Sequence, residues 1–385
     1  MITRRRLIGS AAGLSAMIAA ARAMAAADYG RGIDGRLVRL PDLDLESADA
    51  FLTSFRNWVN VDLMQAARQR ATALMREHGL DPRATAPREQ IIGLMEADPI
   101  IMAHGQLWIR NQQLMWHWLR DEFYANGDFY LSEMEAADKA GPGALELNPQ
   151  MALPAYTREE IHMQPGGYVG DPFAGHMYHY GTNNFFGGAN YQDGVHVALA
   201  AETPLPADGK VRRILDLGVS CGQLTVALKQ RFPEAEVWGI DVGGPMVRYA
   251  HMRANKLGVG ANFAQRLAEE TGFPDGYFDI VTSFLLFHEV HDDADPRIIA
   301  EAQRVLRPGG VFYPMEGRMR RPLPPTSAFG VFQGWWIRRW NYEVWQEHYV
   351  LADYPARLAQ AGFVVSDNPA SVKAGTANIM GTKSA

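Results

Sequence analysis

The chain carries one cysteine, Cys221, in 385 residues, so no internal disulfide can hold it together and a buried core must do that work. Charge is sparse, 21% of residues against 47% apolar, a balance that excludes disordered, collagen-like and multi-span membrane chains. Basic side chains are the minority, 37 Lys and Arg against 43 Asp and Glu, for a formal charge of −6. Residues 1–27 hold Arg4, Arg5, Arg6 and Arg22 and no acid, so the rest of the chain stands at −10. Such a body is poorly made to neutralise phosphates, and no nucleic-acid partner is expected. No internal repeat or low-complexity tract follows residue 27. A chain of this length exceeds what one core usually fills, which predicts two domains.

The N-terminus has its own logic. Thr3-Arg4-Arg5-Arg6-Leu7-Ile8 precedes an uncharged Ala/Gly-rich run to Ala21, then Arg22, then Ala-x-Ala spacing at Ala23/Ala25 and Ala25/Ala27. That order matches the basic, apolar and cleavage regions of a signal peptide. The run is too short and too weakly apolar for a span of about 20 residues, so no spanning membrane segment is expected in the mature chain. Paired arginines followed by two apolar residues resemble a twin-arginine signal, which implies periplasmic delivery or export of a folded protein. The alternative is a cytoplasmic protein that keeps its N-terminus.

The division expected is a signal peptide over 1–27, a helical N-terminal domain over 28–140, an aromatic and glycine-rich connecting segment over 141–204, and an α/β domain over 205–385. From Leu43 to about Tyr130 apolar residues recur at helical spacing, as in Phe51, Phe55, Trp58 and Val59, with breakers at Gly79, Asp81-Pro82, Pro87 and Asp98-Pro99 separating three or four helices. This domain also offers a surface for a possible homodimer. Residues 141–195 show no sustained period and read as a long, ordered, irregular connection. From Val211 strand and helix patterns alternate: strands at Arg213–Leu217, Glu236–Ile240, from Asn262, Phe278–Phe284 and Val311–Glu316, with helices at Leu224–Phe232, Pro245–Lys256 and Ile298–Leu306. This βαβ succession predicts an open, mostly parallel sheet whose ligand site lies beyond the carboxyl ends of the strands.

The informative loop is Asp216-Leu217-Gly218-Val219-Ser220-Cys221-Gly222. Gly218 and Gly222 allow backbone conformations and close approach that a Cβ forbids, and the following helix start offers N–H groups to a negative charge. The G-x-x-x-G spacing is not the G-x-G-x-x-G of a dinucleotide site, which disfavours a nicotinamide oxidoreductase, and Asp216 would repel a pyrophosphate. A ligand with an ammonium and a carboxylate meets both features if Asp216 faces the ammonium. Asp241, at the end of the next strand, is placed for ribose hydroxyls. The expected ligand is an amino acid joined to a nucleoside.

At these residues the sequence resembles the class I S-adenosylmethionine-dependent methyltransferases. Four stretches carry the likeness: Ile214-Leu215-Asp216-Leu217-Gly218 with Gly222, Val237-Trp238-Gly239-Ile240-Asp241, Phe273-Pro274-Asp275-Gly276-Tyr277-Phe278-Asp279, and Arg304-Val305-Leu306-Arg307-Pro308-Gly309-Gly310. The resemblance implies an α/β fold, a Rossmann-like methyltransferase sheet with an antiparallel last strand from about Ala377 to Thr382, and the helical domain added before it. It implies S-adenosylmethionine as methyl donor, with Asp216, Gly218, Ser220, Gly222 and Asp241 holding it. Ser220 replaces the family's middle loop glycine. Leu267 stands where the family often places an acid for the adenine amino group, and Ala268 or Glu269 is expected to take over that contact.

Methyl transfer from a sulfonium depends mainly on holding nucleophile, methyl and sulfur in line and dry. A base helps only if the acceptor must lose a proton, and His288 is the first candidate, with Glu289 and Glu316 beside it. Tyr178, Tyr180 and Tyr191, with Trp335 and Trp336 of an aromatic insertion over 317–351, are the expected substrate wall; helix packing is the competing reading of those tryptophans. No metal is expected: His288 and His291 are three residues apart rather than the four of a helical zinc motif, and a set from His176, His179, His288, His291 and Asp292 is the weaker possibility. Cys221 reads as loop packing rather than a redox thiol. The expected activity is methyl transfer to a small or lipophilic acceptor; the alternative is an exported ligand-binding protein on a catalytically inactive methyltransferase fold.

Overall fold

A computed structural model describes residues 43–316, 325–374 and 378–384. The expected signal peptide, the start of the helical domain, residues 317–324 of the insertion and Ala377 lie outside the described residues. The first half is helical, as the periodicity predicts: α1 (Leu43–Trp58), which runs through a π turn at Val59–Leu63 into α2 (Met64–Glu77), then α3 (Arg88–Glu96), α4 (Pro99–Ala125) and α5 (Gly127–Ala137). Asp98 caps α4. Its Oδ1 accepts Ile100 N at 3.0 Å and Ile101 N at 3.2 Å, with Pro99 in the first turn where no N–H is needed. Its Oδ2 accepts Arg70 Nε at 2.7 Å, tying α2 to α4.

The connecting segment is more regular than its sequence predicts. It contains β1 (Leu145–Glu146), α6 (Ala174–Phe185) and α7 (Gly194–Glu202). Helix α6 is covered on nearly every side, so no apolar stripe marks it. Two glycines let its neighbours approach: a Cβ at Gly175 would lie 2.4 Å from Tyr249 Cβ, and one at Gly181 2.4 Å from Trp116 of α4. A buried ion pair between Arg253 and Asp193 joins the start of α7 to the α/β half, and Gln223 Nε2 donates to the same carboxylate at 2.7 Å. Removing one partner would strand a buried charge at a cost of about 3–5 kcal/mol.

The α/β half follows in order: β2 (Arg213–Leu217), α8 (Gln223–Arg231), β3 (Glu236–Asp241), α9 (Gly244–Lys256), β4 (Asn262–Gln265), β5 (Phe278–Phe284), α10 (Ala294–Val305), β6 (Leu306–Met315), α11 (Ala328–Trp340), α12 (Gln346–Leu351), α13 (Tyr354–Gln360), β7 (Phe363–Asp367), α14 (Pro369–Ala374) and β8 (Ile379–Lys383). The strands form one sheet in the order β1-β4-β3-β2-β5-β6-β8-β7. β1 to β6 are parallel and β8 runs antiparallel to both its neighbours, so the fold is a mixed Rossmann-like methyltransferase sheet preceded by a helical region. Period-two alternation sorts the core. Leu215, Leu217, Ile240 and Phe312 pack under α10 and α13, whereas Ile214, Val237, Ile280 and Val311 pack under α7 and α8.

The aromatic insertion is structural where it is described. Phe329, Phe332 and Trp336 of α11 are buried against Ala67, Ala71, Ile91 and Met95 of α2 and α3, with Trp335 partly buried beside them. Trp336 meets Trp108 edge-on at 5.5 Å. It also lies over Gly105, where a Cβ would come within 2.6 Å of its Nε1. Trp335 and Trp336 therefore do not wall the substrate site; the helical spacing that made packing the competing reading is the correct signal.

Candidate functional site

The loop after β2 turns through three left-handed residues, Gly218 (φ +67°), Ser220 (φ +47°) and Gly222 (φ +76°). It is fastened to β3. Gly218 N and Val219 N both donate to Ile240 O, at 2.9 and 3.1 Å. Asp241 closes the turn: Oδ2 accepts Ser220 N at 2.9 Å and Oδ1 accepts Gly243 N at 2.8 Å. Burial pushes the Asp241 carboxyl up to about 6 against the pull of those two N–H groups.

Above this loop, beyond the carboxyl ends of β2 to β5, lies a cleft of about 820 Å³ counted with its open mouth. That suits a small-molecule site. Gly218, Ser220, Asp241, Ala268 and Glu269 line it, as expected for the cofactor side, together with Leu267. Glu269 Oε1 accepts the Tyr156 hydroxyl at 2.6 Å. Tyr156, Ile161, Tyr168 and Tyr178 also line it, with Phe284, Leu286 and Glu289 from the end of β5 and the turn after it. Of the three tyrosines expected as substrate wall, only Tyr178 lines the cleft. Tyr180 is buried among Trp116, Phe123 and Met177 in the helical core, and Tyr191 does not reach the cleft.

Asp216 is the main correction. Its side chain shares the face of Ile214, so it points under α8 and is 1% exposed, with Oδ2 accepting the Thr225 hydroxyl at 2.7 Å. Burial raises its pKa to about 7. It anchors the first turns of α8 and does not face a ligand ammonium from within the cleft. Gly222 is also off the cleft; a Cβ there would strike Ala250 at 2.7 Å and Phe263 at 3.0 Å, so its service is to let α8 and α9 pack. Cys221 is fully buried, and burial lifts its thiol to about 12, which leaves no reactive thiolate.

The expected catalytic trio is rearranged as well. Glu316 is 3% exposed and braces the turn after β5: Oε1 accepts Phe287 N at 2.7 Å and Oε2 lies 3.1 Å from His288 Nδ1. Burial disfavours the charged imidazole of His288, but Glu316, with Glu289 and Glu343 behind it, outweighs that and raises it to about 9. The ring thus carries a proton at neutral pH and does not line the cleft, so it is not a ready base. Glu289 does line the cleft. Burial pushes its carboxyl up, yet His162 at 3.1 Å, His288 and Tyr168 outweigh burial and hold it below the usual range. His162, Tyr156 and Tyr168 were not foreseen. They lie in the irregular segment, and its aromatic and glycine content was the one available sign that it serves the site.

Residues 214–310 match a family model described as a methyltransferase domain. The chain carries a class I S-adenosylmethionine-dependent methyltransferase domain. It is 39% identical over 120 residues to the demethylmenaquinone methyltransferase of Thermus thermophilus, covering 31% of this chain and 52% of that protein. It is 37% identical over 115 residues to the ubiquinone/menaquinone biosynthesis C-methyltransferase UbiE of Cupriavidus metallidurans, covering 29% and 46%. The chain thus spans about half the length of these curated relatives. Among solved structures, phosphoethanolamine N-methyltransferase 2 of Haemonchus contortus aligns with a TM-score of 0.35 at 17% identity, over 49% of this chain and 51% of that one.

The residues present fit the donor this domain uses. The space beside Gly218 is one a Cβ would fill, its methyl landing 2.8 Å from Leu286, and Asp241 presents a carboxylate at the strand end where ribose hydroxyls would lie. Leu267 gives the adenine side an apolar face, with Ala268 and Glu269 supplying polar atoms next to it. Among the described residues no helix is long and apolar enough to cross a membrane.

Proposed function

We propose that the protein transfers a methyl group from S-adenosylmethionine to a small, lipophilic acceptor with an aromatic ring. One observation carries the reading: a single cleft joins the family's loop, Gly218 and Ser220 with Asp241, to a wall of Tyr156, Tyr168 and Tyr178. The donor, when bound, supplies an electrophilic methyl on a sulfonium. This chain would hold it through the loop backbone and through Asp241, which can take ribose hydroxyls on the lone pairs its two N–H partners leave free. The tyrosines and Phe284 would stack on a planar acceptor and exclude water. Glu289, anionic at the end of the cleft, would accept a hydrogen bond from an acceptor hydroxyl and orient it. The names of the two relatives direct the first assays to quinol-like rings.

A second reading, a ligand-binding protein on an inactive methyltransferase fold, is favoured by Asp216 alone, since its burial removes one carboxylate from the ammonium end of the donor. Titration of the purified full chain with S-adenosylmethionine and S-adenosylhomocysteine, followed by transfer of labelled methyl to a panel of benzoquinols and naphthoquinols, separates the two. Micromolar donor binding with product formation supports the enzyme. Binding without transfer to any ring supports the second reading, and no binding at millimolar ligand sinks both. Export in the folded state through a twin-arginine signal is proposed from residues 1–27; cell fractionation with the mass of the mature N-terminus tests it.

A further inference from the structure

Three donor atoms from two segments, His162 in one and the consecutive His288 and Glu289 in the other, converge beside the cleft. His162 Nε2 lies 3.1 Å from Glu289 Oε1, His288 Nε2 lies 3.8 Å from the same oxygen, and all three atoms fall within 4.8 Å of one another. Ligands about 2.1 Å from a tetrahedral ion stand about 3.4 Å apart, so these separations are already close to a coordination edge. Both imidazoles turn Nε2 inward and have a carboxylate at the outer nitrogen. His288 Nδ1 is 3.1 Å from Glu316 Oε2, and His162 Nδ1 is 3.4 Å from Glu343 Oε1, with Asn341 Nδ2 3.0 Å from the same ring nitrogen and donating to Glu343 Oε1 at 2.6 Å. Carboxylates behind histidines are what fix ring orientation and basicity at metal centres.

The backbone is arranged for this. His162 (φ +58°) and Met163 (φ +53°) are consecutive left-handed residues without being glycine, a costly conformation that survives where surroundings impose it. The surroundings are specific: the His162 carbonyl accepts both Gln112 Nε2 at 2.5 Å and Trp116 Nε1 at 2.9 Å from α4. Two side chains of a distant helix hold a strained residue whose ring reaches Glu289.

We propose that His162, His288 and Glu289 form a binding site for a divalent first-row transition metal such as Zn²⁺, at the edge of the cleft where Glu289 lines it. Two histidines and one carboxylate are a donor set that suits such ions and leaves room for an exchangeable ligand. The ion's place next to an acceptor rests on the methyl-transfer reading, under which it would bind the acceptor's hydroxyl oxygen and ease loss of the hydroxyl proton; metal binding itself does not rest on it. The alternative set of His176, His179, His288, His291 and Asp292 is not assembled, because His179 Nδ1 is engaged with the Tyr249 hydroxyl at 2.7 Å and His176 packs on the same ring.

The test is titration of the metal-stripped full chain with Co²⁺, read by visible ligand-field absorption, with Zn²⁺ in competition. One Co²⁺ per chain is expected. His162→Ala and Glu289→Gln should each weaken it by at least about 100-fold, and Glu343→Gln by roughly 10-fold through the outer carboxylate. Thermal melting by circular dichroism shows whether each variant is folded; if His162→Ala is not, His288→Gln takes its place. Absence of bands at millimolar Co²⁺ overturns the proposal. So does binding unchanged in the folded variants, which would move the ion to the exposed group His291, Asp292 and Asp293. A wild-type chain that binds Co²⁺ but not S-adenosylhomocysteine keeps the metal site and sinks the methyl-transfer reading.

Discussion

On one side of the cleft Gly218, Ser220 and Asp241 are held by backbone groups from two adjacent strands, β2 and β3, within one short stretch of chain. On the other side His162, paired with the cleft residue Glu289, depends on partners far away in sequence, Gln112 and Trp116 on α4 and Asn341 and Glu343 after α11. A site wall built from local hydrogen bonds carries a local sequence signature. A wall built from long-range contacts carries none, and is shaped by whatever holds those distant pieces in register. The first wall therefore belongs to the shared domain and the second to this chain.

The sharpest way to break that contrast is to damage the scaffold of the second wall alone. Trp336→Ala should cost about 3–5 kcal/mol of stability in urea unfolding, because it empties a buried aromatic site between α11 and α4. Affinity for S-adenosylhomocysteine should stay within about threefold in the fraction that remains folded. A large loss of affinity would show that the walls are not separable.

A smaller effect probes the first wall from beneath. Asp216 has a folded pKa of about 7 against an ordinary 3.8, so its penalty is absent below about pH 4 and complete above about pH 7, and it makes the wild type less stable as pH rises between them. Asp216→Asn keeps an acceptor for Thr225 and removes the titration. Its stability relative to wild type should rise by roughly 2–3 kcal/mol from pH 5 to pH 8. A flat difference would mean that the carboxylate is solvated.

The smallest effect is at Ser220. A non-glycine residue at φ +47° is strained; its backbone N–H donates to Asp241 and its side chain meets Tyr178. Ser220→Gly should change stability by no more than about 1 kcal/mol in either direction, since relief of strain is offset by the freedom of glycine in the unfolded chain. Donor affinity should be retained.

The α/β half was legible in the sequence because its strands are short buried runs closed by motif glycines; the strand expected at Phe278–Phe284 is the one observed. The helix of α6 was not legible, since burial on every side erases the apolar stripe and its glycines look like loop residues. Asp216 was misread for a reason the strand itself supplies. Its side chain must point to the same face as Ile214, and that face belongs to α8. Gly218 and Asp241 do line the cleft, whereas His288 and Glu316, expected as catalytic residues, are joined by a contact that the sequence does not show and that makes one brace the other. His162 could not have been found: nothing local marks it, and its position is imposed by α4.

The central claim is that Asp241, and not Asp216, is the carboxylate that meets the donor. Calorimetric titration of S-adenosylhomocysteine into wild type, Asp241→Ala and Asp216→Asn tests it directly. The account predicts a loss of roughly 100-fold or more for Asp241→Ala, which removes charge-assisted hydrogen bonds to both ligand and loop, and a change within about threefold for Asp216→Asn. The reverse order, with Asp216→Asn abolishing binding and Asp241→Ala sparing it, would contradict it.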